Sequence, residues 1–317
     1  MTYYEDDQIT LHHGDALEVA RTLPSGLAQT IVTSPPYFGL RDYGEDGQIG
    51  AESTLSEYIG RLVELFGELR RVLTDDGTLW LNLGDSYASK PVGTFNGGSG
   101  TFTGRDMSGV AGSGGIDKGA AAGLPEKNLI GVPWRVALAL QADGWILRSD
   151  IIWAKSSVMP ESVTDRPTKS HEYLFMLTKR PSYYYDAAAI AEPVVKGNAG
   201  SRFDTGKTAG HQLGRSSSAE RAEKDTRNKR TVWTVAPVPF TGAHFAVYPP
   251  ELIRPCIRAG SRVGDTVLDP FSGSGTTGQV ALYEGRKYIG IDLNREYLDL
   301  SLRTRFQQPT LAIGELA

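Results

Sequence analysis

The sequence holds a single cysteine, Cys256, in 317 residues. That excludes an internal disulfide framework, and no Cys/His cluster has the spacing of zinc ligands. Cys256 lies in "ELIRPCIRAG", a predicted helix, where it reads as a buried structural thiol. Long apolar runs are also missing. No stretch approaches the ~20 residues that a bilayer-spanning helix needs, and the opening "MTYYEDDQIT" has neither the basic flank nor the apolar centre of a signal peptide. The expectation is a soluble chain working in the cytoplasm. An overall cationic balance is absent too, with a formal net charge of −4 and a pI near 5.8. That charge is uneven. Between Lys196 and Arg230 stand nine basic residues against four acidic ones, a local excess of +5 on a body of −9. A basic stretch on an acidic body can neutralise phosphates without making the whole surface adhesive. On charge alone it equally describes a solvated loop.

What is present is a repeated strand–helix pattern. "ITLHHGDALEVARTLP" reads as strand, turn and helix. "AQTIV" (28–32) is a buried strand, and "LSEYIGRLVELFGELRRVLTDDG" has helical apolar spacing that predicts a helix ending at Gly77. "TLWLNLGD", "WILRSDIIWAK" and "HEYLFMLTK" read as strands, with "VPWRVALALQADG" and "YPPELIRPCIRAG" as helices. Such alternation predicts an α/β fold, a doubly wound and mostly parallel sheet with helices on both faces. Two segments interrupt it: the Gly/Ser/Thr-rich residues 90–123 and the basic residues 196–230. Loops of that length within one domain either carry function or are disordered. We therefore divide the chain into residues 1–195, containing the Gly-rich insert, the basic insert 196–230, and residues 231–317.

Two strand ends carry the chemistry. "VLDPFSGSGTTG" runs from a strand through Asp269, Pro270 and Phe271 to Gly273, Gly275 and Gly278, and then into a helix. "YIGIDL" places Asp292 at the next strand end. Such a turn lets the backbone approach a nucleotide, and the acidic residue can take ribose hydroxyls. A nicotinamide or flavin dinucleotide suits it, and so does S-adenosylmethionine. The other strand end is "TSPPYFG" (33–39), where two prolines force the chain out of the sheet.

"DPFSGSGTT" together with "TSPPY" resembles the S-adenosylmethionine-dependent DNA amino-methyltransferases, which modify N4 of cytosine or N6 of adenine. The corner precedes the Gly-rich loop here, an order that looks like the circularly permuted beta class of a Rossmann-like fold. "DRPTKSHEYLFMLTK" and "HFAVYPPELI" are similar to further family segments, and the basic stretch falls where a target-recognition region is often carried. The resemblance implies that Ser34 Oγ and the Pro35 carbonyl grip the target amine, with Pro36 stiffening the corner and Tyr37 stacking on the base. It also implies S-adenosylmethionine bordered by Asp269, Pro270, Phe271, Gly273 and Gly275, with Asp292 on its ribose. Thr276 and Thr277 either bind its carboxylate or merely begin a helix. Asp15 either reaches the adenine amino group or forms the turn after Gly14. His171 and Glu172 join the frame of the base pocket.

The expected substrate is double-stranded DNA, without a metal or a covalent intermediate. Within the family a serine first in the corner is more usual for cytosine enzymes and an aspartate for adenine enzymes, so N4 of cytosine is the first expectation and N6 of adenine the alternative. No nuclease motif is visible, so any restriction endonuclease partner is a separate chain. Two readings of other classes remain at this level: a nucleotide-dependent oxidoreductase, from the Gly-rich loop alone, and a non-catalytic nucleic-acid-binding module, from the basic stretch alone.

Overall fold

The computed structural model describes residues 1–39, 47–89, 117–158, 160–194, 225–238 and 248–306. Its strands are β1 (Thr2–Glu5), β2 (Ile9–His13), β3 (Ala28–Thr33), β4 (Leu73–Leu83), β5 (Ile146–Lys155), β6 (His171–Thr178), β7 (Glu192–Pro193), β8 (Thr226–Arg227), β9 (Val232–Val235), β10 (Thr266–Asp269) and β11 (Lys287–Asp292). Its helices are α1 (Ala16–Thr22), α2 (Leu55–Val72), α3 (Lys118–Ala122), α4 (Val132–Ala142), α5 (Pro250–Gly260), α6 (Thr276–Tyr283) and α7 (Arg295–Ser301), the last continued by a π-helical turn, Leu302–Phe306. No helix among the described residues is long and apolar enough to cross a membrane.

Nine strands form one sheet in the order β1-β2-β11-β10-β3-β4-β6-β5-β9. The run β2, β11, β10, β3, β4 is parallel throughout. β6 is antiparallel to both its neighbours, and β1 is antiparallel to β2. The expected mostly parallel, doubly wound sheet is what forms. Every residue of β3 is buried, because helices cover both faces of the sheet and leave its strands no polar side. One face packs α1, α2 and α4 around Leu62, Phe66, Leu79 and Phe175. The other packs α5, α6 and α7 around Trp80, Ile257, Tyr288 and Leu298. Cys256 is fully buried on α5, and that burial pushes its thiol well above the usual range.

From β3 the chain passes through α2 to β4 on one side, and from β10 through α6 to β11 on the other. The order therefore reverses between β3 and β10, and the carboxyl ends of those two strands border the crevice where open α/β sheets bind ligands.

Helix α2 begins with a capping box, Thr54 and Glu57 each bonding the other's backbone, and buries Tyr58, Leu62, Leu65, Phe66 and Leu69 along one stripe. It ends at Val72, short of the expected Gly77. Leu73 turns extended (ψ 140°) and enters β4 at once. Leu73 pairs with Ala28 and Thr78 with Thr30, so residues 74–77 bulge opposite Gln29 alone. The Gln29 amide accepts from the Thr74 hydroxyl and donates to Asp76 Oδ1, each at 3.2 Å, which holds the bulge. Acidic residues at a helix C-terminus oppose its dipole, and here they leave the helix for a strand.

β9 pairs with β5 at the edge farthest from β10 and β11. Of the two inserts, residues 90–116 and 196–224 lie outside the described residues. In the described end of the basic stretch, Arg227 and Arg230 both pair with Glu192, at 2.8 and 2.5 Å, so these two charges are used within the protein.

Candidate active site

The two corners meet at the reversal point through one carboxylate. Asp269 ends β10 with 1 % of its surface exposed. Its Oδ1 accepts from the Thr33 hydroxyl at 2.7 Å and the Phe271 amide at 3.0 Å. Its Oδ2 accepts from Thr277 Oγ1 at 2.5 Å and the Tyr248 hydroxyl at 3.1 Å. Burial raises the carboxyl above its ordinary range against the pull of these four donors. The outcome is mechanical. Thr33, the residue before Ser34, is tied to the first turn of α6 and to the entry of α5. Thr33 and Tyr248 are not singled out by the sequence, although each lies in a quoted segment, because their shared partner Asp269 is 236 and 21 residues away along the chain.

Beyond Thr33 the chain leaves the sheet at Ser34. Tyr58, from α2, donates to the Pro36 carbonyl at 2.9 Å. Among the described residues nothing donates to the Pro35 carbonyl. Ser34 Oγ lies 3.5 Å from the Tyr37 hydroxyl, at the limit of a hydrogen bond. Tyr37 itself is firmly held. Its hydroxyl donates to Glu172 Oε2 at 2.7 Å, with Asn82 Oδ1 3.3 Å away. Lys155 Nζ donates to Glu172 Oε1 at 2.5 Å, and the Asn82 amide is fixed by donation to the Tyr173 carbonyl at 3.0 Å. The ring lies on Gly84, where a Cβ would stand 2.5 Å from Tyr37 Cε2. Burial, reinforced by the Glu172 charge, pushes the Tyr37 hydroxyl well above its ordinary value and keeps it a donor. Glu172 is thus bonded to Tyr37, and Asn82, Lys155 and Gly84 are further contacts that the sequence does not mark.

On the other side, Gly275 caps α6 in the left-handed region at φ 79°, which admits glycine readily. Phe271 and Gly273 stay partly exposed, while Pro270, Thr276 and Thr277 are buried. The Thr277 hydroxyl is taken by Asp269, and both threonines form the first turn of α6. Gly273 N donates to Asp292 Oδ2 at 2.6 Å, and Asn294 N to Asp292 Oδ1 at 2.9 Å. A Cβ on Gly273 would meet nothing nearer than the Phe271 carbonyl at 3.9 Å, so the space over this turn is open. Asp15 follows β2 by two residues, on the same side of the sheet as Asp292, which is in register with His13. Its Oδ1 caps α1 by accepting from Leu17 N and Glu18 N, and its Oδ2 is 3.9 Å from Arg61.

Ser34, Tyr37, Phe271, Gly273, Asp292 and Asp15 therefore share one edge of the sheet, around the β3/β10 crevice. A model of the DNA methylase family, covering N6- and N4-methyltransferases, matches residues 28–303, a span that contains both corners. The chain is 51% identical over 296 residues to the Type II methyltransferase M.Cfr9I of Citrobacter freundii, an overlap covering 92% of this chain and 86% of that one. Its fold matches that of the PvuII DNA methyltransferase (cytosine-N4-specific) with a TM-score of 0.64 at 19% identity, over 98% of this chain and 90% of that one. It also matches a putative DNA modification methylase of Thermus thermophilus, solved in complex with S-adenosyl-L-methionine, with a TM-score of 0.55 at 23% identity over 93% of each chain. The chain belongs to the DNA methylases that transfer a methyl group from S-adenosylmethionine to an exocyclic amino group, N6 of adenine or N4 of cytosine.

Proposed function

We propose that this chain methylates N4 of cytosine in double-stranded DNA, with Ser34 and Pro35 holding the amine and Tyr37 under the base. The observation that carries the reading is the pair of acceptors at the end of β3. The Pro36 carbonyl is taken by Tyr58, whereas the Pro35 carbonyl has no donor among the described residues, and Ser34 Oγ, whose one marginal contact is a donation to the Tyr37 hydroxyl, keeps its lone pairs for acceptance. Two acceptors on one rigid corner match an amino group with two N–H bonds. Accepting from them raises electron density on a nitrogen whose lone pair is otherwise drawn into the ring, and aims it. The two prolines fix φ, so the acceptors are in place before the base arrives. The base must leave the duplex to reach them. Extrusion costs a few kcal/mol, and stacking on Tyr37 returns ~1–3 kcal/mol. The stacking ring is held by Glu172 on its hydroxyl and by Gly84 beneath it, so its orientation is set independently of the substrate.

The Gly-rich turn fits S-adenosylmethionine. The open space over Gly273 admits a ligand against the backbone, and Asp292 sets a carboxylate at the neighbouring strand end for ribose hydroxyls. Phe271 and Asp15 border the same space, while Asp269, Pro270, Gly275, Thr276 and Thr277 shape the turn from within. When bound, the cofactor supplies an electrophilic methyl group on a sulfonium, so no covalent bond to the protein is needed. Cytosine is favoured over adenine by the serine that opens the corner, and the fold match to an enzyme described as cytosine-N4-specific agrees with it. A restriction endonuclease of the same specificity would be a separate chain.

The test is chemical. DNA treated with the enzyme and the cofactor is digested to nucleosides and separated by mass. N4-methylcytosine is expected; N6-methyladenine would overturn the choice of base.

A further inference from the structure

At the same edge of the sheet the Nζ of one half-buried lysine is shielded from solvent without a hydrogen-bond partner among the described residues. Lys169 precedes β6 by two residues. Its neighbour Ser170 is fixed by accepting from Lys155 N at 2.8 Å, one step beyond the β5/β6 ladder. Lys169 Nζ is buried and makes no hydrogen bond among the described residues. The charges acting on it are Asp85 and Glu172, which attract it, and Lys155 and Arg166, which repel it. Asp85 lies two residues beyond β4, and its Oδ1 already accepts three backbone amides, from Ser86, Gly131 and Val132. Glu172 is engaged by Tyr37 and Lys155. The other cations nearby are satisfied. Lys155 pairs with Glu172, and Arg166 pairs with Glu161 at 2.6 Å and stacks on the Tyr87 ring at 3.8 Å.

An unpaired buried ammonium opposes folding, and burial accordingly lowers the pKa of Lys169. A site that retains such a group has a use for it in another state. The tie of Ser170 to β5, together with the charges of Asp85, just beyond β4, and of Glu172, bonded to Tyr37, places it on the Tyr37 side of the site. Cytosine gripped by its amine presents two further atoms on that edge, N3 and the 2-carbonyl, and both are acceptors. We propose that Lys169 is a specificity-determining residue whose ammonium donates to the 2-carbonyl of the extruded cytosine. The assignment rests on the cytosine reading above. Adenine has no ring carbonyl and would leave the ammonium buried and unpaired, the condition under which a site built to hydrogen-bond its substrate rejects an analogue most strongly.

The experiment is a two-by-two cycle. The product base and sequence context of the wild-type enzyme are first identified by nucleoside mass and by sequencing that reads modified bases. Duplexes then carry, at the target position, either cytosine or a cytosine analogue lacking the 2-carbonyl, and single-turnover methyl transfer is measured for wild type and Lys169→Met. The wild type is expected to lose at least tenfold on the analogue. The variant is expected to lose at least tenfold on cytosine but less than twofold more on the analogue, and to melt no lower than wild type, because an unpaired charge has been removed.

An equal analogue penalty in both proteins, or an unchanged rate in the variant, overturns the assignment. So does a salt slope of DNA binding reduced by about one with the saturated rate intact, the mark of a phosphate contact. A cytosine product with additive penalties leaves the cytosine reading standing and removes only Lys169. N6-methyladenine as the wild-type product removes both.

Discussion

Asp269 is the residue whose loss should separate scaffold from chemistry. Replacing it with alanine leaves three hydroxyls, of Thr33, Thr277 and Tyr248, and the Phe271 amide without their acceptor inside a region that is 1 % exposed at Asp269. Each orphaned buried donor costs about 1–3 kcal/mol. The Tyr248 and Thr277 hydroxyls already contact each other and can partly satisfy one another, and the carboxylate's own desolvation is relieved. The net loss should be about 3–5 kcal/mol, in the range for breaking a buried polar network. For 317 residues, at about 2.1 cal/mol/K per residue, that lowers the melting temperature by about 4–8 °C. Asp269→Asn keeps the volume and one acceptor oxygen and carries no buried charge, so about 1–2 kcal/mol is expected. Calorimetry of the two variants measures the difference, and titration with S-adenosylmethionine measures the affinity in parallel. If the carboxylate acts as a tie within the protein, the asparagine variant binds the cofactor within about threefold of wild type, a factor below 1 kcal/mol. An unaltered melting temperature with cofactor affinity reduced a hundredfold would refute this account.

The remaining outcomes concern Tyr37. Gly84→Ala places a methyl group where Tyr37 Cε2 stands, so it should displace the ring, cost about 1–3 kcal/mol of stability and reduce methyl transfer while cofactor binding is retained; an active variant with an unmoved ring in its crystal structure would contradict the packing described. If Tyr37 stacks on the base as proposed, Tyr37→Ala should lower the single-turnover rate about 5- to 150-fold, whereas Tyr37→Phe keeps the ring and should lose less than tenfold. Since the folded protein raises the tyrosine pKa, it favours the protonated form. The stability this group contributes is therefore complete below about pH 10 and falls as the pH rises past that value, and no alkaline limb in the rate below it should be traceable to Tyr37.

Which parts of this site could be read from the chain depends on whether their cause is local. The strand–helix alternation was legible because burial on both faces leaves runs such as "AQTIV", and because Gly and Pro mark the places where strands end. The Pro-Pro corner and the glycine turn were legible for the same reason, being backbone devices written in adjacent residues. Contacts across the fold were not. Thr33 and Asp269 are 236 residues apart and meet only because β3 and β10 are neighbours at the reversal of strand order. Glu172 could be quoted as part of a motif, but its partner Tyr37 lies 135 residues earlier, and Lys155 reaches it across the β5/β6 pair.

The early end of α2 shows the same limit at close range, since the apolar spacing continues past Val72 while the pairing of Leu73 with Ala28 claims the backbone for the sheet. Lys169 is the sharpest instance. In sequence it is one basic residue in "RPTKSHEY", and only folding shows that its ammonium is buried with every nearby carboxylate already engaged. Backbone devices announce that a site exists, whereas the contacts that hold its side chains, such as Tyr37 on Glu172, are assembled by topology and leave no local pattern to read.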